Sequence, residues 1–336
     1  MIRLRTFALL ALFPTVARGA GDTLEGRLQR LLTSARARRV AASVIDIRTG
    51  RVLAHAGRSA AGPDRSLCLR PWAPAASVFK IVTTAALLES GVSPSQRVCY
   101  SGGGFRRLMP RDLLDDPRRD VACRTLSDAL VHSTNAVFAK LAIRHLDKHA
   151  LLRYSEAFGF GARLHPDLQP SPAEIPDDEI ERARTAAGFF HVRMSPLHGA
   201  LIAGAIARGG EMLLPARPGA PAPPRRIVRE DTARALSAML LETTTSGTAR
   251  KAFYDSRGRP YLGKVRVAGK TGSLAEYQPF RDYSWFVGYA PVDRPEIAVG
   301  VVVENGPRWW TRGHLLARDV IAAYFRGKPT GPLAAR

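Results

Sequence analysis

The order of elements predicts an α+β fold: an antiparallel sheet assembled from both chain ends, flanked by helices, with an all-helical subdomain inserted between its strands. Three observations predict it. A strand–turn–strand pattern lies near the N-terminus, a helical stretch fills the middle, and valine-rich segments return only in the last third, before a closing helix. No repeat with a period of roughly 20 to 50 residues competes with this reading.

Leu24, Leu28, Leu31 and Leu32 fall at helical spacing and predict a helix over 23–38. Residues 40–47 and 51–56 read as a hairpin around Arg48-Thr49-Gly50. A helix is predicted from 76 to 89, preceded by Pro71 and Pro74 and closed by Gly91. Further helices are expected at 126–131, 136–146, 196–207 and 230–242, which places the helical subdomain at about 90–210. Strands are expected at 264–268, 285–289 and 297–304, then a helix over 315–325. The Pro-rich stretch 215–226 reads as a surface loop, and the tail 327–336 as disordered.

The 336 residues, 46% hydrophobic, suffice for one large core or two small ones. Fifty basic against 29 acidic residues give a net charge of +21, with only seven lysines among the basic residues. Such a balance implies either electrostatic association with an anionic wall or membrane surface, or merely an arginine-biased solvated surface. No basic helix interleaved with aromatics and no nucleic-acid motif occurs, so a nucleic-acid partner is not expected. At the N-terminus, Arg3 and Arg5 precede the apolar run 7–13, and Ala17-Arg18-Gly19-Ala20 offers small residues for cleavage. Residues 1–20 therefore read as a secretory signal, and the mature chain is expected in the periplasm or on the outer face of the cytoplasmic membrane. Pro14 and Arg18 cut the apolar run short of the ~20 residues a membrane span needs. Export permits a disulfide, for which Cys99 and Cys123 are the candidate pair around a Gly- and Arg-rich loop. Three free thiols, with Cys68, is the other reading. Cysteine and histidine spacing suits no metal, and no cofactor is expected.

Chemistry concentrates in three segments. Ser77-Val78-Phe79-Lys80 puts a hydroxyl and an amine three residues apart at a helix start, on one face. Its apolar neighbours make the site dry, and burial disfavours an ammonium, so Lys80 is a candidate base for Ser77. The helix N-terminus favours negative charge developing near Ser77. Ser133-Thr134-Asn135 offers a hydroxyl relay and an amide that either holds a substrate amide or fixes Lys80. Lys270-Thr271-Gly272-Ser273 suits a strand edge, where Gly272 would let a ligand backbone approach.

Together these read S-x-x-K, S-x-N and K-T-G-S, in an order that resembles the penicillin-binding transpeptidase domain of the serine β-lactamase and D,D-peptidase superfamily. The resemblance runs from about residue 40 to 325. The segments 193–210, 246–249 and 282–291 resemble the same family and are expected to serve packing. The resemblance implies a penicillin-binding serine acyl-transferase acting on peptidoglycan stem peptides and β-lactams. Ser77 would be its nucleophile, Lys80, Ser133, Asn135 and Lys270 its catalytic set, and Thr271, Gly272 and Ser273 its substrate site. The N–H groups of Ser77 and Ser273 would form the oxyanion hole. Rival readings are a D,D-carboxypeptidase, a serine β-lactamase, and a non-catalytic sensor of β-lactams or wall fragments. A class A β-lactamase would need a Glu-x-x-Leu-Asn segment. Glu174, Glu179 and Glu181 stand in the right region, but none is followed by Leu-Asn. Trp309 and Trp310, beside Arg308 and Arg312, are expected to cap the core or line a groove, and His132 to end a helix.

Overall fold

A computed structural model describes residues 23–102, 108–214, 223–308 and 311–326. The expected signal segment, the tail from 327, Trp309, Trp310 and part of the Pro-rich stretch lie outside these residues.

The main sheet contains β1 (Arg39–Asp46), β2 (Val52–Ser59), β3 (Gly62–Pro63), β4 (Ala268–Tyr277), β5 (Phe280–Ala290) and β6 (Ile297–Asn305). Every neighbouring pair is antiparallel, in the order β4-β5-β6-β1-β2-β3. The two chain ends meet where β1 pairs with β6, Val40 opposite Val303 and Val44 opposite Val299. The helices are α1 (Leu24–Ser34), α2 (Lys80–Glu89), α3 (Leu126–His132), α4 (Asn135–His145), α5 (Lys148–Ala157), α6 (Glu179–Ala186), α7 (Pro196–Ala207), α8 (Glu230–Thr245), α9 (Arg250–Phe253) and α10 (Gly313–Arg326).

Helices cover both sheet faces, which explains why β6 is buried along its whole length rather than alternating. Val40, Ala42 and Val44 of β1 and Val299, Val301 and Val303 of β6 point to one side, onto Leu28 and Leu32 of α1 and Leu316, Val320 and Ile321 of α10. The intervening residues, with Trp285, Val287 and Tyr289 of β5, face the larger core shared with α2, α7 and α8. The central helix α7 is apolar on all sides. Ser195 caps it, accepting from the His198 N–H at 3.2 Å, and Pro196 opens it. Its first turn lies directly on Gly300, where a Cβ would stand 2.0 Å from the Pro196 carbonyl oxygen.

The helices at 196–207 and 230–245 and the strands flanking Arg48-Thr49-Gly50 fall where their patterns predict. Residues 264–267 do not form the predicted strand. Val265 instead closes a turn on the Leu262 carbonyl at 3.1 Å, and β4 begins only at Ala268, with the third motif inside it. Helices α5 and α6 carry no strong apolar stripe; α6 buries only Ala183, Thr185 and Ala186. The short ladder of Arg97–Tyr100 with Ala122–Thr125 is likewise additional. In it Cys99 opposes Cys123, and the two form a disulfide across 3.9 Å between Cα atoms. Cys68 is a buried free thiol, pushed up to about 12 chiefly by burial.

Candidate active site

Ser77 lies in a single tight turn, Ala76–Phe79, that runs into α2. Ala76 adopts φ 50°, a left-handed conformation that an alanine rarely takes. The turn sets Ser77 and Lys80 side by side, with Lys80 Nζ 2.9 Å from Ser77 Oγ. Asn135, the first residue of α4, offers its Oδ1 to the same Nζ at 2.8 Å, and the Ala187 carbonyl just beyond α6 is the third partner. Asn135 therefore fixes Lys80 directly, one of the two roles its sequence position allows.

Lys80, Lys140 and Lys270 are fully buried, yet they are solved differently. Lys140 pairs with Asp115 at 3.1 Å and with Asp120. Lys80 and Lys270 have no carboxylate within ion-pair distance among the described residues. Burial, and then the charge of Lys270, pulls the Lys80 amine well below the ordinary lysine range. A neutral amine has two N–H donors and one lone pair. The Asn135 and Ala187 oxygens match the donors, and the lone pair is left for the Ser77 hydroxyl. The arrangement can thus take a proton from Ser77.

Lys270, on β4, is lowered by burial to about 7, and its Nζ donates to the Thr271 carbonyl at 3.0 Å. Strand β4 is a sheet edge, as the third motif predicts. A Cβ at Gly272 would meet Val78 Cγ2 at 3.2 Å and the Ala75 oxygen at 3.3 Å, so the Ser77 turn itself also packs closely on the strand there. Ser133 ends α3 in the left-handed conformation, φ 58° and ψ 41°. That turn separates α3 from α4 and sends the Ser133 side chain to the cavity that Ser77, Thr271 and Ser273 also line.

Two cavities meet at Ser77 and Ser273. One, of about 410 Å³, is lined by Ser133, Gly247, Thr248, Lys251, Thr271, Arg312 and His314. It contains two cationic side chains and no acid, a setting for a carboxylate. Burial and neighbouring Arg312 lower His314 to about 4, so its imidazole is neutral. The other cavity, of about 840 Å³, runs past Asn135 along Leu274 and Tyr277 on one side and the 187–191 segment on the other, with Glu181 and Arg184 behind.

All eight motif residues thus converge on one site. Sequence reasoning missed several others. Thr248 was assigned to packing, yet its hydroxyl lies 2.6 Å from that of Thr271. The charge of Arg312 was visible, but not its place beside Ser77. Gly188 carried no motif. It sits at φ 84°, where a Cβ would stand 2.4 Å from the Ala76 oxygen and 2.9 Å from Ser77 Cα.

Residues 40–323 match the model of the penicillin binding protein transpeptidase domain. The chain belongs to that family. Peptidoglycan D,D-transpeptidase PbpA of Mycobacterium tuberculosis is 27% identical over 306 residues, which cover 81% of this chain and 59% of that protein. Stage V sporulation protein D of Bacillus subtilis is 26% identical over 74% of this chain and 41% of its own length. The chain thus spans 59% of the first of these relatives and 41% of the second. A crystal structure of a peptidoglycan glycosyltransferase from Burkholderia ambifaria superposes with TM-score 0.73 at 22% identity, over 90% of this chain and 95% of that one. The ceftriaxone acyl-enzyme complex of penicillin-binding protein A from M. tuberculosis gives 0.70 at 21%, over 89% and 77%. These likenesses show the fold.

Two outcomes test this geometry. Gly188→Ala should displace the Ser77 turn and slow modification of Ser77 by a penicillin about 100-fold. Gly161→Ala, at φ 76° in open space, should cost only stability. Stopped-flow labelling with a fluorescent penicillin separates the two. Secondly, Lys270 is lowered from 10.5 to about 7, so between those values the unfolded chain binds a proton that the folded chain does not. The cost of burying the charged amine is fully present below pH 7 and is relieved as pH rises toward 10.5. Lys270→Met should therefore melt several degrees higher than wild type near pH 6, with a smaller margin near pH 10, measured by circular dichroism.

Proposed function

We propose that the protein is a D,D-transpeptidase-type serine acyl-transferase that acts outside the cytoplasm on peptidoglycan stem peptides through an acyl-enzyme at Ser77. The observation that carries this reading is the dry contact between Ser77 Oγ and a Lys80 amine that burial, and then the charge of Lys270, pulls well below the ordinary lysine range. The names of the M. tuberculosis and B. subtilis relatives support the substrate class.

In the proposed reaction, Lys80 takes the Ser77 proton and Oγ attacks the carbonyl of the penultimate D-alanine. The N–H groups of Ser77 and Ser273 receive the developing oxyanion. The C–N bond breaks, and the terminal D-alanine leaves with a proton relayed through Ser133. Thr271 and Ser273 bind its carboxylate, in the field of Lys270 and beside Lys251 and Arg312 in the smaller cavity. The donor peptide lies along the free edge of β4, pairing as an added strand. An amine from a second stem peptide then takes the acyl group from Ser77. β-Lactams would stop the cycle at the acyl-enzyme.

Export through the N-terminal segment fits this substrate. No helix among the described residues is long and apolar enough to cross a membrane. The basic surface would then face an anionic wall or membrane. Arg36, Arg38, Arg58 and Arg308 line a cleft of about 520 Å³ that has no acidic side chain among its described lining residues.

A purified chain should carry a long-lived fluorescent-penicillin adduct that Ser77→Ala abolishes, while Lys80→Met slows acylation about 1,000-fold. Absence of a Ser77-dependent adduct would rule the reading out, and rapid release of hydrolysed penicillin would favour a β-lactamase instead. Electrostatic association predicts co-sedimentation with phosphatidylglycerol vesicles at low salt, lost near 0.5 M salt and weakened by Arg58→Gln with Arg308→Gln. Binding indifferent to salt would exclude it.

A further inference from the structure

Three non-glycine residues among those described have positive φ: Ala76 at 50°, Ser133 at 58° and His191 at 75°. Such a conformation is unfavourable for an ordinary L-residue and persists where the surroundings over-determine it. Ala76 presents the nucleophile, and Ser133 presents its own hydroxyl. His191 has no part in the scheme so far, yet it lines the larger cavity together with Ser77 and Asn135.

The segment carrying His191 is tied to the nucleophile's turn at both ends. Gly188 lies against Ala76 and Ser77, and the Val192 carbonyl accepts from the Ala75 N–H at 2.9 Å. His191 adjoins the second tie, about 3.8 Å from it in Cα spacing. Its ring is held as firmly as its backbone. Nε2 lies 3.2 Å from Glu181 Oε2, and the other Glu181 oxygen accepts from Arg184. The Arg184 guanidinium is in turn fixed on the Leu108 carbonyl, at 3.1 Å from Nε and 2.6 Å from Nη2. Burial works against the Glu181 carboxylate, but the hydrogen bonds from His191 and Arg184 outweigh it and hold its pKa below the ordinary range. A carboxylate only accepts, so in a neutral His191 ring the N–H that meets Glu181 is on Nε2, and Nδ1 is the nitrogen left to accept.

Proton balance shows what such a group is needed for. The Ser77–Lys80–Ser133 set removes one proton and returns one proton to Ser77. Water attacking the acyl-enzyme brings only that one. An amine acceptor arrives as an ammonium and must first lose an additional proton, for which the set has no place.

We infer that His191 is the base of the acyl-acceptor site, with Glu181 and Arg184 as its positioning residues, and that the acceptor is a protonated primary amine. This rests on the transpeptidase reading of Ser77. The ammonium gives a proton to His191 Nδ1. The freed nitrogen attacks the ester carbonyl and an N–C bond forms. The C–O bond to Ser77 breaks, and the second amine proton passes through Lys80 to Ser77 Oγ. His191 later releases its proton to solvent. The scheme selects for amines over water, and it loses its purpose once the acceptor is already neutral in solution.

The experiment uses an N-acyl-D-alanyl thioester as donor and D-alaninamide as acceptor, whose α-amino group has an ordinary pKa near 8. The ratio of aminolysed to hydrolysed product is read by mass spectrometry in wild type, His191→Asn and Glu181→Gln; asparagine tolerates positive φ. Near pH 6.5, where about 3% of the acceptor is neutral, His191→Asn should lower the ratio about 30-fold, and Glu181→Gln less. Near pH 9 the ratio should return to within about twofold of wild type, and fluorescent-penicillin acylation should be unaltered at both pH values. An unchanged ratio at low pH overturns the inference, as does an equal loss at both pH values or a parallel loss of hydrolysis and acylation. A wild type that penicillin does not label at Ser77 fails the underlying reading instead, and the two failures differ in which assay is silent.

Discussion

The site depends on an amine kept out of water without a counter-ion. An isolated ammonium in a dry interior is so costly that the group gives up its proton instead. Lys80 can do so because its surroundings satisfy a neutral amine: two oxygens for two N–H groups, and a hydroxyl for the lone pair. Lys140, equally buried, shows the other solution, with Asp115 and Asp120 holding it in a structural role. The difference between these lysines is one of partners, not depth.

Satisfying Lys80 requires three separate segments to arrive together: the turn before α2, the start of α4 and the end of α6. The backbone shows what this convergence demands. Gly188 leaves room where chains would otherwise collide, and Ala76, Ser133 and His191 take left-handed conformations around the same cavities. Among the described residues the left-handed non-glycine conformations are thus gathered around these cavities. The regular packing of the sheet against α1, α7 and α10 holds the arms in place.

Electrostatically the two sides of Ser77 are unlike. The smaller cavity has Lys251 and Arg312 in its wall, Lys270 behind it and no acid, which favours a departing carboxylate. The larger one has aromatic rings, an imidazole and a Glu181 carboxylate paired with Arg184, a mixed wall without the excess of positive charge of the smaller one.

The antiparallel sheet built from both chain ends was legible because valine-rich segments at each terminus had nothing else to pair with. The eight motif residues were legible because Ser77 and Lys80, Ser133 and Asn135, and 270–273 each sit within one turn or one strand, where spacing alone sets the geometry. The stretch 264–267 misled, since two alternating valines imitate a strand while the chain is still turning. Helix α6 escaped because it is mostly polar and buries little. The Ala187 carbonyl, the Gly188 approach, the Thr248 hydroxyl and the Glu181–His191 pair could not be read at all. A carbonyl has no letter in the sequence, and a contact between residues more than twenty positions apart, as for Thr248 and Thr271, leaves no periodic trace. The sequence by itself determined which polar groups could be gathered at one site. Only the tertiary structure decided what surrounds them, because burial, charge and hydrogen-bond partners come from segments distant in the chain, and these set the protonation state in which the reacting groups stand.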